Sequence, residues 1–203
     1  MIAIVDYGCG NLLSIANMIK KVGGESFITS DADKISSADK IILPGIGAFD
    51  TGMSQLNQMH FTEVLSRKAL QEKVPVLGIC LGMQLMTRRS DEGKLSGLSW
   101  FDAETLRFNF ESNAALKIPL IGWKQVEQKK ENPLFSKMYE HPKFYFVHSY
   151  YVKSNVTNDI IATSFYGTEY VSAIAKENLF GVQFHPEKSH KYGMTLIKNF
   201  VNL

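Results

Sequence analysis

The chain has 203 residues, of which 45% are hydrophobic and 21% are charged, values typical of a folded globular protein rather than a disordered or fibrous one. Its formal charge of +2 provides no strong field for holding a polyanion, which argues against nucleic-acid binding. Two cysteines are too few for a disulfide scaffold, and the longest apolar stretch, residues 74–86, is too short to span a bilayer.

The first half of the chain alternates short apolar runs with amphipathic stretches. Residues 2–5 predict a strand, and after a tight turn the N-cap candidate Asn11 precedes apolar side chains at helical spacing. Further buried strands are predicted at residues 40–43 and 74–79, and further helices around residues 51–58, 61–71 and 83–88. This βαβ alternation predicts an α/β fold whose parallel sheet has helices on both faces.

The second half is richer in strand patterns separated by turn residues. Strands are predicted at residues 99–108, 117–126, 144–147, 160–165, 170–175 and 179–184. We expect them to extend the sheet in antiparallel fashion, and residues 192–201 to form a closing helix. Because no repeat or linker interrupts the chain, we predict one domain over residues 1–203.

The most informative local motif is a cysteine between a predicted strand and a predicted helix. Gly78 and Gly82 flank Cys80 at two residues on each side, which is the spacing of a nucleophile elbow with a thiol in place of the hydroxyl. The sharp turn would direct the first N–H groups of the helix at the sulfur and favour the thiolate. The alternative is a small buried hydrophobe, which is what most free cysteines are.

A candidate base follows the predicted strand 179–184. Pro186 disfavours helix at His185, so the imidazole and the carboxylate of Glu187 can emerge from an extended segment as base and orienting group. Taken singly, such a histidine is more often structural and such a glutamate solvated. Because Cys80 and His185 both follow predicted strands, a sheet would bring them to one edge.

A third loop follows the predicted strand 40–43. Glycines on both sides of Ile46 would allow a backbone N–H to turn toward a developing oxyanion, with the N–H of Leu81 as a second donor. A plain turn is the alternative. His148 also follows a strand pattern and could face the same pocket, whereas nothing in the sequence has metal-ligand spacing. Cys9 stays open between a packed thiol and a residue near a partner surface.

Together, the three ordered motifs 44–47, 78–84 and 185–187 resemble those of the triad, or class I, glutamine amidotransferases. Residues 6–11 and 145–150 further resemble one branch of that family, the glutaminase subunits of imidazole glycerol phosphate synthases, and the similarity extends over essentially the whole chain. The resemblance implies a mostly parallel central sheet flanked by helices, with an antiparallel extension.

The resemblance also implies roles for individual residues. Cys80 would attack the side-chain amide of L-glutamine, His185 would protonate the departing ammonia, and Glu187 would orient the imidazole. The implied oxyanion hole comprises backbone N–H groups near Ile46, Gly47 and Leu81. The implied contacts of the bound glutamine are Gln84, Glu92, His148, Ser149 and Tyr150. Neither a cofactor nor a metal is implied.

The implied partner is a (β/α)₈-barrel cyclase that receives the ammonia through a protected channel in a cytoplasmic heterodimer. Its ammonia-dependent reaction makes imidazole glycerol phosphate and an aminoimidazole carboxamide ribonucleotide in histidine biosynthesis. The residues assigned to this interface are Asn11, Trp123, Lys124 and Lys188.

One stretch departs from the branch pattern and leaves an alternative open. Leu120 and Lys124 stand where the histidine-pathway subunits usually have His and Asn, although Trp123 is retained. The alternative is a paralogous glutaminase that supplies ammonia for amidation of a surface-polysaccharide sugar. Two hypotheses from other classes are a non-catalytic binding module, which the complete triad disfavours, and a different α/β hydrolase, for which the His-x-Glu spacing is unusual.

Overall fold

A mixed sheet carries most of the strands of the computed structural model, which describes residues 1–110 and 116–203. The strands are β1 (Ile2–Val5), β2 (Ser26–Thr29), β3 (Lys40–Gly45), β4 (Val76–Cys80), β5 (Ala103–Arg107), β6 (Leu120–Gln125), β7 (Glu127–Gln128), β8 (Lys143–His148), β9 (Tyr150–Ser154), β10 (Ile160–Tyr166), β11 (Thr168–Lys176) and β12 (Leu179–Val182). The α-helices are α1 (Leu12–Lys21), α2 (Ala32–Ser36), α3 (Phe49–Gln58), α4 (Phe61–Ser66), α5 (Leu81–Leu85) and α6 (His190–Val201).

The main sheet has a parallel half and an antiparallel half. Its strand order is β2-β1-β3-β4-β12-β11-β10-β7, and the first five of these strands are parallel to one another. β11, β10 and β7 continue it with antiparallel pairing, and β9 joins β11 to β5. The predicted α/β fold with an antiparallel extension is thereby confirmed.

Two of the strands expected in that extension lie elsewhere. β6 and β8 pair only with each other, from Leu120 opposite His148 to Gln125 opposite Lys143. The reason is the aromatic face of β8, because Phe144 stacks on Phe184 with ring centroids 3.9 Å apart. This two-stranded β6–β8 sheet therefore packs into an apolar layer of the protein instead of extending the edge of the main sheet.

Other differences concern short or half-buried elements. β2, α2 and β9 were not predicted, since β2 is largely half-buried at a sheet edge and α2 has only five residues. α2 is nevertheless capped, because Asp31 accepts from the backbone N–H groups of Asp33 and Lys34. The helix expected over residues 61–71 is divided into α4 and a π-helical segment, Arg67–Gln71. Asn11 precedes α1 as expected, but its side chain makes no cap hydrogen bond.

Helices cover both faces of the sheet and enclose two apolar layers. α1 and α6 pack on one face, through side chains such as Ile19 and Phe200, and α3, α4 and α5 pack on the other. Cys9 belongs to the second of these layers and is only 9% exposed, which supports its interpretation as a packed thiol. Within the two described ranges, no helix is long and apolar enough to cross a membrane.

A buried serine connects β8 of the two-stranded sheet to the segment after β12. The Ser189 hydroxyl donates to the His185 carbonyl at 2.6 Å and accepts from the Tyr145 N–H at 3.0 Å. The His185 N–H in turn donates to the Tyr145 carbonyl at 2.9 Å. Ser189 is fully buried, so water cannot replace these bonds.

We predict that Ser189→Ala destabilises the protein by roughly 2 kcal/mol, because it leaves the buried Tyr145 N–H without its partner. It also removes one of the two donors to the His185 carbonyl, which keeps only the Lys188 N–H at 3.1 Å. The free energy of unfolding would be measured by urea denaturation. Ser172→Ala is the matched control, since that hydroxyl is equally buried but has no partner among the residues that the structure describes. Equal losses in the two variants would contradict the assignment.

Candidate active site

The three sequence motifs meet at the carboxyl ends of three neighbouring parallel strands. β4 ends at Cys80, which lies opposite Gly45 at the end of β3. On its other side β4 pairs with β12, where Ile79 lies opposite Val182, and His185 follows three residues later. The sheet therefore places nucleophile, base and glycine loop at one edge, as the motifs predicted.

Cys80 occupies a sharp turn between β4 and α5. Its φ of 54° and ψ of −109° are unfavourable for a side-chain-bearing residue, which is a form of strain found at functional sites. The turn requires very close backbone packing: a Cβ on Gly82 would lie 1.8 Å from the Leu43 carbonyl oxygen, and one on Gly78 2.8 Å from the Gly82 backbone. The predicted elbow is present.

His185 and Glu187 form a buried pair beside the thiol. His185 Nδ1 lies 2.9 Å from Glu187 Oε1, and the two side chains are 4% and 2% exposed. Burial opposes protonation of the imidazole, but hydrogen bonds to Cys80 and Glu187 outweigh it and raise the pKa of His185 to about 10. Because Nδ1 faces the carboxylate, Nε2 is the nitrogen available to the sulfur. The imidazole of His185 is therefore protonated beside the sulfur at neutral pH.

The glycine loop, residues 44–47 at the end of β3, is held in place by a hydrogen bond from a buried tyrosine. The buried Tyr7 hydroxyl donates to the Pro44 carbonyl at 2.6 Å. Burial is the main cause that raises the pKa of Tyr7 well above its ordinary value, so the hydroxyl keeps its proton. Gly47 has φ of +106°, which a residue with a side chain rarely adopts, and Ile46 is half exposed at the loop tip.

These groups line one cavity of about 470 Å³. The predicted residues that line it are Cys80, His185, Ile46, Gly47, Leu81, Gln84, Glu92, His148, Ser149 and Tyr150. Pro119, Val147 and Lys188 complete the lining. Glu187 lies behind His185, where an orienting carboxylate is expected.

The two histidines of the cavity are in opposite protonation states. Burial lowers the pKa of His148 to about 4, and the neighbouring charge of His185 adds to this effect. The neutral ring lies with Nδ1 2.7 Å from the Tyr150 carbonyl, so Nδ1 carries the hydrogen and donates it. His148 is therefore suited to positioning the cavity wall, and His185 to proton transfer.

Glu92 joins the cavity to the glycine loop. One of its carboxylate oxygens accepts from the Phe49 N–H at 2.8 Å, at the start of α3 and just after the loop. Asp50 reciprocates by accepting from the backbone N–H groups of Lys94 and Leu95. This reciprocal capping fixes the distance between Glu92 and the loop.

Sequence reasoning missed Pro119 and Val147 in the cavity lining. It also missed three residues that support the site from behind the lining: Tyr7, Asp50 and Gln183. Gln183 is fully buried, and its Nε2 lies 3.7 Å from Cys80 Sγ. A polar side chain inside the otherwise apolar run 179–184 was the one available signal.

The residues assigned to a partner interface divide between two faces. Trp123 is 41% exposed, and its ring stacks on His190 with centroids 5.4 Å apart. The Tyr145 ring lies against both Trp123 and Lys188, and Lys188 lines the cavity. Lys124 extends from the opposite face of β6, with its Nζ 4.7 Å from the centroid of the Tyr166 ring. The structure thus does not bring Lys124 together with Trp123.

Comparisons with known proteins agree with this geometry. Residues 3–203 match the family Glutamine amidotransferase class-I. The chain is 49% identical over 201 residues to imidazole glycerol phosphate synthase subunit HisH 2 of Methanococcus maripaludis, covering 99% of this chain and 98% of the relative. It is 45% identical over 203 residues to the HisH 2 subunit of Pseudomonas aeruginosa, covering all of both chains.

Among solved structures, PurLQS from Thermotoga maritima superposes with a TM-score of 0.74, over 99% of this chain and 97% of that chain. The sequence identity is 16%, so this comparison shows a shared fold.

The chain belongs to the class-I glutamine amidotransferase family. Within that family, its full-length similarity is to the HisH subunits of imidazole glycerol phosphate synthases, which confirms the resemblance seen in the motifs.

The pairing of the Cys80 sulfur with the His185 imidazole can be tested by NMR. In the intact protein the imidazole of His185 should titrate near pH 10, and Cys80→Ala should lower that pKa because burial is then opposed by Glu187 alone. The ¹⁵N shifts of histidine would report the titration. Cys9→Ala is the control and should leave His185 unchanged. An unaltered pKa in Cys80→Ala would contradict the pairing of sulfur and imidazole.

Proposed function

We propose that this protein is the glutaminase subunit of an imidazole glycerol phosphate synthase, which hydrolyses L-glutamine to L-glutamate and ammonia. The observation that carries the proposal is the convergence of Cys80, His185 and Glu187 on one cavity beside the glycine loop. The relatives' names support the histidine-pathway assignment and give no support to the sugar-amidation alternative. We propose that the whole chain acts as one catalytic domain.

The first half-reaction forms a thioester. The thiolate of Cys80 attacks the side-chain carbonyl carbon of glutamine, and the charge that develops on oxygen is stabilised by backbone N–H groups near Gly47 and at Leu81. The imidazolium of His185 then donates its Nε2 proton to the nitrogen as the C–N bond breaks. Ammonia leaves, and the acyl group remains on sulfur.

The second half-reaction regenerates the enzyme. Neutral His185 accepts a proton from water, the resulting hydroxide attacks the thioester carbonyl, and the C–S bond breaks to return the thiolate. Glu187, held at 2.9 Å from Nδ1, stabilises the imidazolium each time it forms. Free thiols at Cys80 and Cys9 suit the cytoplasm, where we propose that the enzyme works.

The cavity wall supports recognition of the amino-acid part of glutamine. Both amide hydrogens of Gln84 are used, in bonds of 3.1 Å to the Tyr150 carbonyl and to Gln183 Oε1, so only its own oxygen is left for a ligand. That oxygen and the Glu92 carboxylate are acceptors suited to the α-ammonium group. We propose that Ser149, with its neighbours in the wall, contacts the rest of the bound amino acid.

We predict that Cys80→Ala lowers glutamine hydrolysis by at least ~10³-fold, since no other group in the cavity can form the thioester. Ammonia released from glutamine would be measured. Synthesis by the partner with added ammonium salt should survive in the same variant, because that reaction bypasses the thiol.

Cys9→Ala is the matched control and should retain hydrolysis, because Cys9 is packed in the core away from the cavity lining. Hydrolysis that persists in Cys80→Ala would refute the proposed reaction.

The ammonia must reach its acceptor without protonation, which requires a partner docked over the cavity mouth. We propose a (β/α)₈-barrel cyclase there, forming a heterodimer, with Trp123, Lys188 and Asn11 on the docking face. Ile121 is 61% exposed and shares a face of β6 with Trp123, which supplies apolar area for such a contact.

We predict that Trp123→Ala weakens the complex with a candidate cyclase by about 2 kcal/mol, because a large exposed aromatic at an interface is a frequent hot spot. Lys124→Ala should have a smaller effect, since Lys124 lies over Tyr166 on the other face. Calorimetric titration would compare the two variants. Equal weakening would contradict the assigned face.

The same complex can be used to identify which compound accepts the ammonia. The histidine-pathway formimino ribonucleotide should raise glutamine turnover, because a ligand at the acceptor site that favours the active state of the complex shifts its population toward that state. An absent response with a competent cyclase would favour the sugar-amidation paralogue.

A further inference from the structure

Gln183 is a buried amide that contacts the reacting sulfur. It follows β12 directly, is fully buried, and its backbone N–H donates to the Ser172 carbonyl at 2.9 Å. Its side-chain Nε2 lies 3.7 Å from Cys80 Sγ, within the range of a hydrogen bond to sulfur. A fully desolvated amide is costly unless it is bonded at both ends, so each of its contacts matters energetically.

The orientation of this amide is determined by its neighbour Gln84. Gln84 Nε2 donates to Gln183 Oε1 at 3.1 Å and to the Tyr150 carbonyl at 3.1 Å. The second of these acceptors is a backbone carbonyl, which cannot donate, so the nitrogen of Gln84 is unambiguously the donor. Gln183 must then present oxygen to Gln84 and its NH₂ group to Cys80.

The neighbours of Cys80 Sγ differ in whether they favour its thiol or its thiolate form. The Val147 carbonyl, 3.9 Å from Sγ, can only accept, so it interacts with the protonated thiol. Gln183, like His185, can donate a hydrogen bond to the sulfur. Such a bond is stronger when the sulfur is a negatively charged thiolate than when it is a neutral thiol. Of these two donors, only Gln183 keeps its hydrogen atoms throughout the reaction, because His185 gives up its proton to ammonia.

We propose that Gln183 is a further catalytic residue, whose amide N–H stabilises and positions the thiolate of Cys80 during attack and again when the sulfur leaves the thioester. The inference deepens the proposed function and rests on it for the reaction itself. Gln84 thereby has two roles, since it faces the ligand and also fixes the amide that contacts the nucleophile.

The test is the rate at which iodoacetamide alkylates Cys80 at pH 7, followed by mass spectrometry of the Cys80 peptide. Gln183→Met and Gln183→Leu retain bulk but cannot donate, and we expect alkylation to slow by about tenfold, with a comparable loss of glutamine turnover. Ser172→Ala is the matched control, because it alters a buried side chain at Gln183's backbone partner and leaves the amide in place. It should alkylate at the wild-type rate.

Thermal unfolding of each variant separates chemistry from folding. Slow alkylation in a variant that unfolds like the wild type supports the proposal. An unchanged alkylation rate would overturn it, and so would loss of the folded state in both Gln183 variants, which would assign the amide a structural role. Alkylation needs no glutamine, so this measurement decides the role of Gln183 independently of the proposed function. A wild-type complex with a competent cyclase and its ribonucleotide that shows no glutaminase activity would refute the proposed function.

Discussion

The contact between the backbone of α5 and the carbonyl edge of β3 determines the geometry of the site. At Gly82 there is no room for even a methyl group beside the Leu43 carbonyl, and this packing allows the chain to reverse direction immediately after Cys80. A side chain there would lift α5 from β3 and move the sulfur away from the glycine loop and from His185. The strained backbone at Cys80 persists because the surrounding strands and helix determine it.

The convergence of the motifs could be predicted because it follows from a rule of topology. Cys80 and His185 each follow an apolar run, and the carboxyl ends of parallel strands share one edge, so two local patterns were sufficient to place them together. The immediate pairing of β4 with β12 was beyond local reasoning. Most of the antiparallel half of the sheet lies between them in sequence, and only long-range packing brings the two strands side by side.

The parts that sequence reasoning missed depend on contacts that leave no periodic signal. Tyr7 reads as a turn residue, and its role arises only when its hydroxyl meets the Pro44 carbonyl. Gln183 lies within an apolar run whose pattern predicts burial but not a partner. The β6 and β8 strands have ordinary strand alternation, which gives no sign that they form a separate sheet. Their separation from the main sheet reflects long-range packing such as the stacking of Phe144 on Phe184.

The pairing of β4 with β12 restricts how the chain can evolve. Successive side chains of a strand point to opposite faces, so a one-residue insertion or deletion inside β4 would turn Cys80 away from the cavity. The same change inside β12 would shift the register that places His185 three residues beyond Val182. Point substitutions among the buried aliphatic residues change volume but preserve this phase. The site therefore depends on the number of residues in these two strands as well as on the identity of the cysteine.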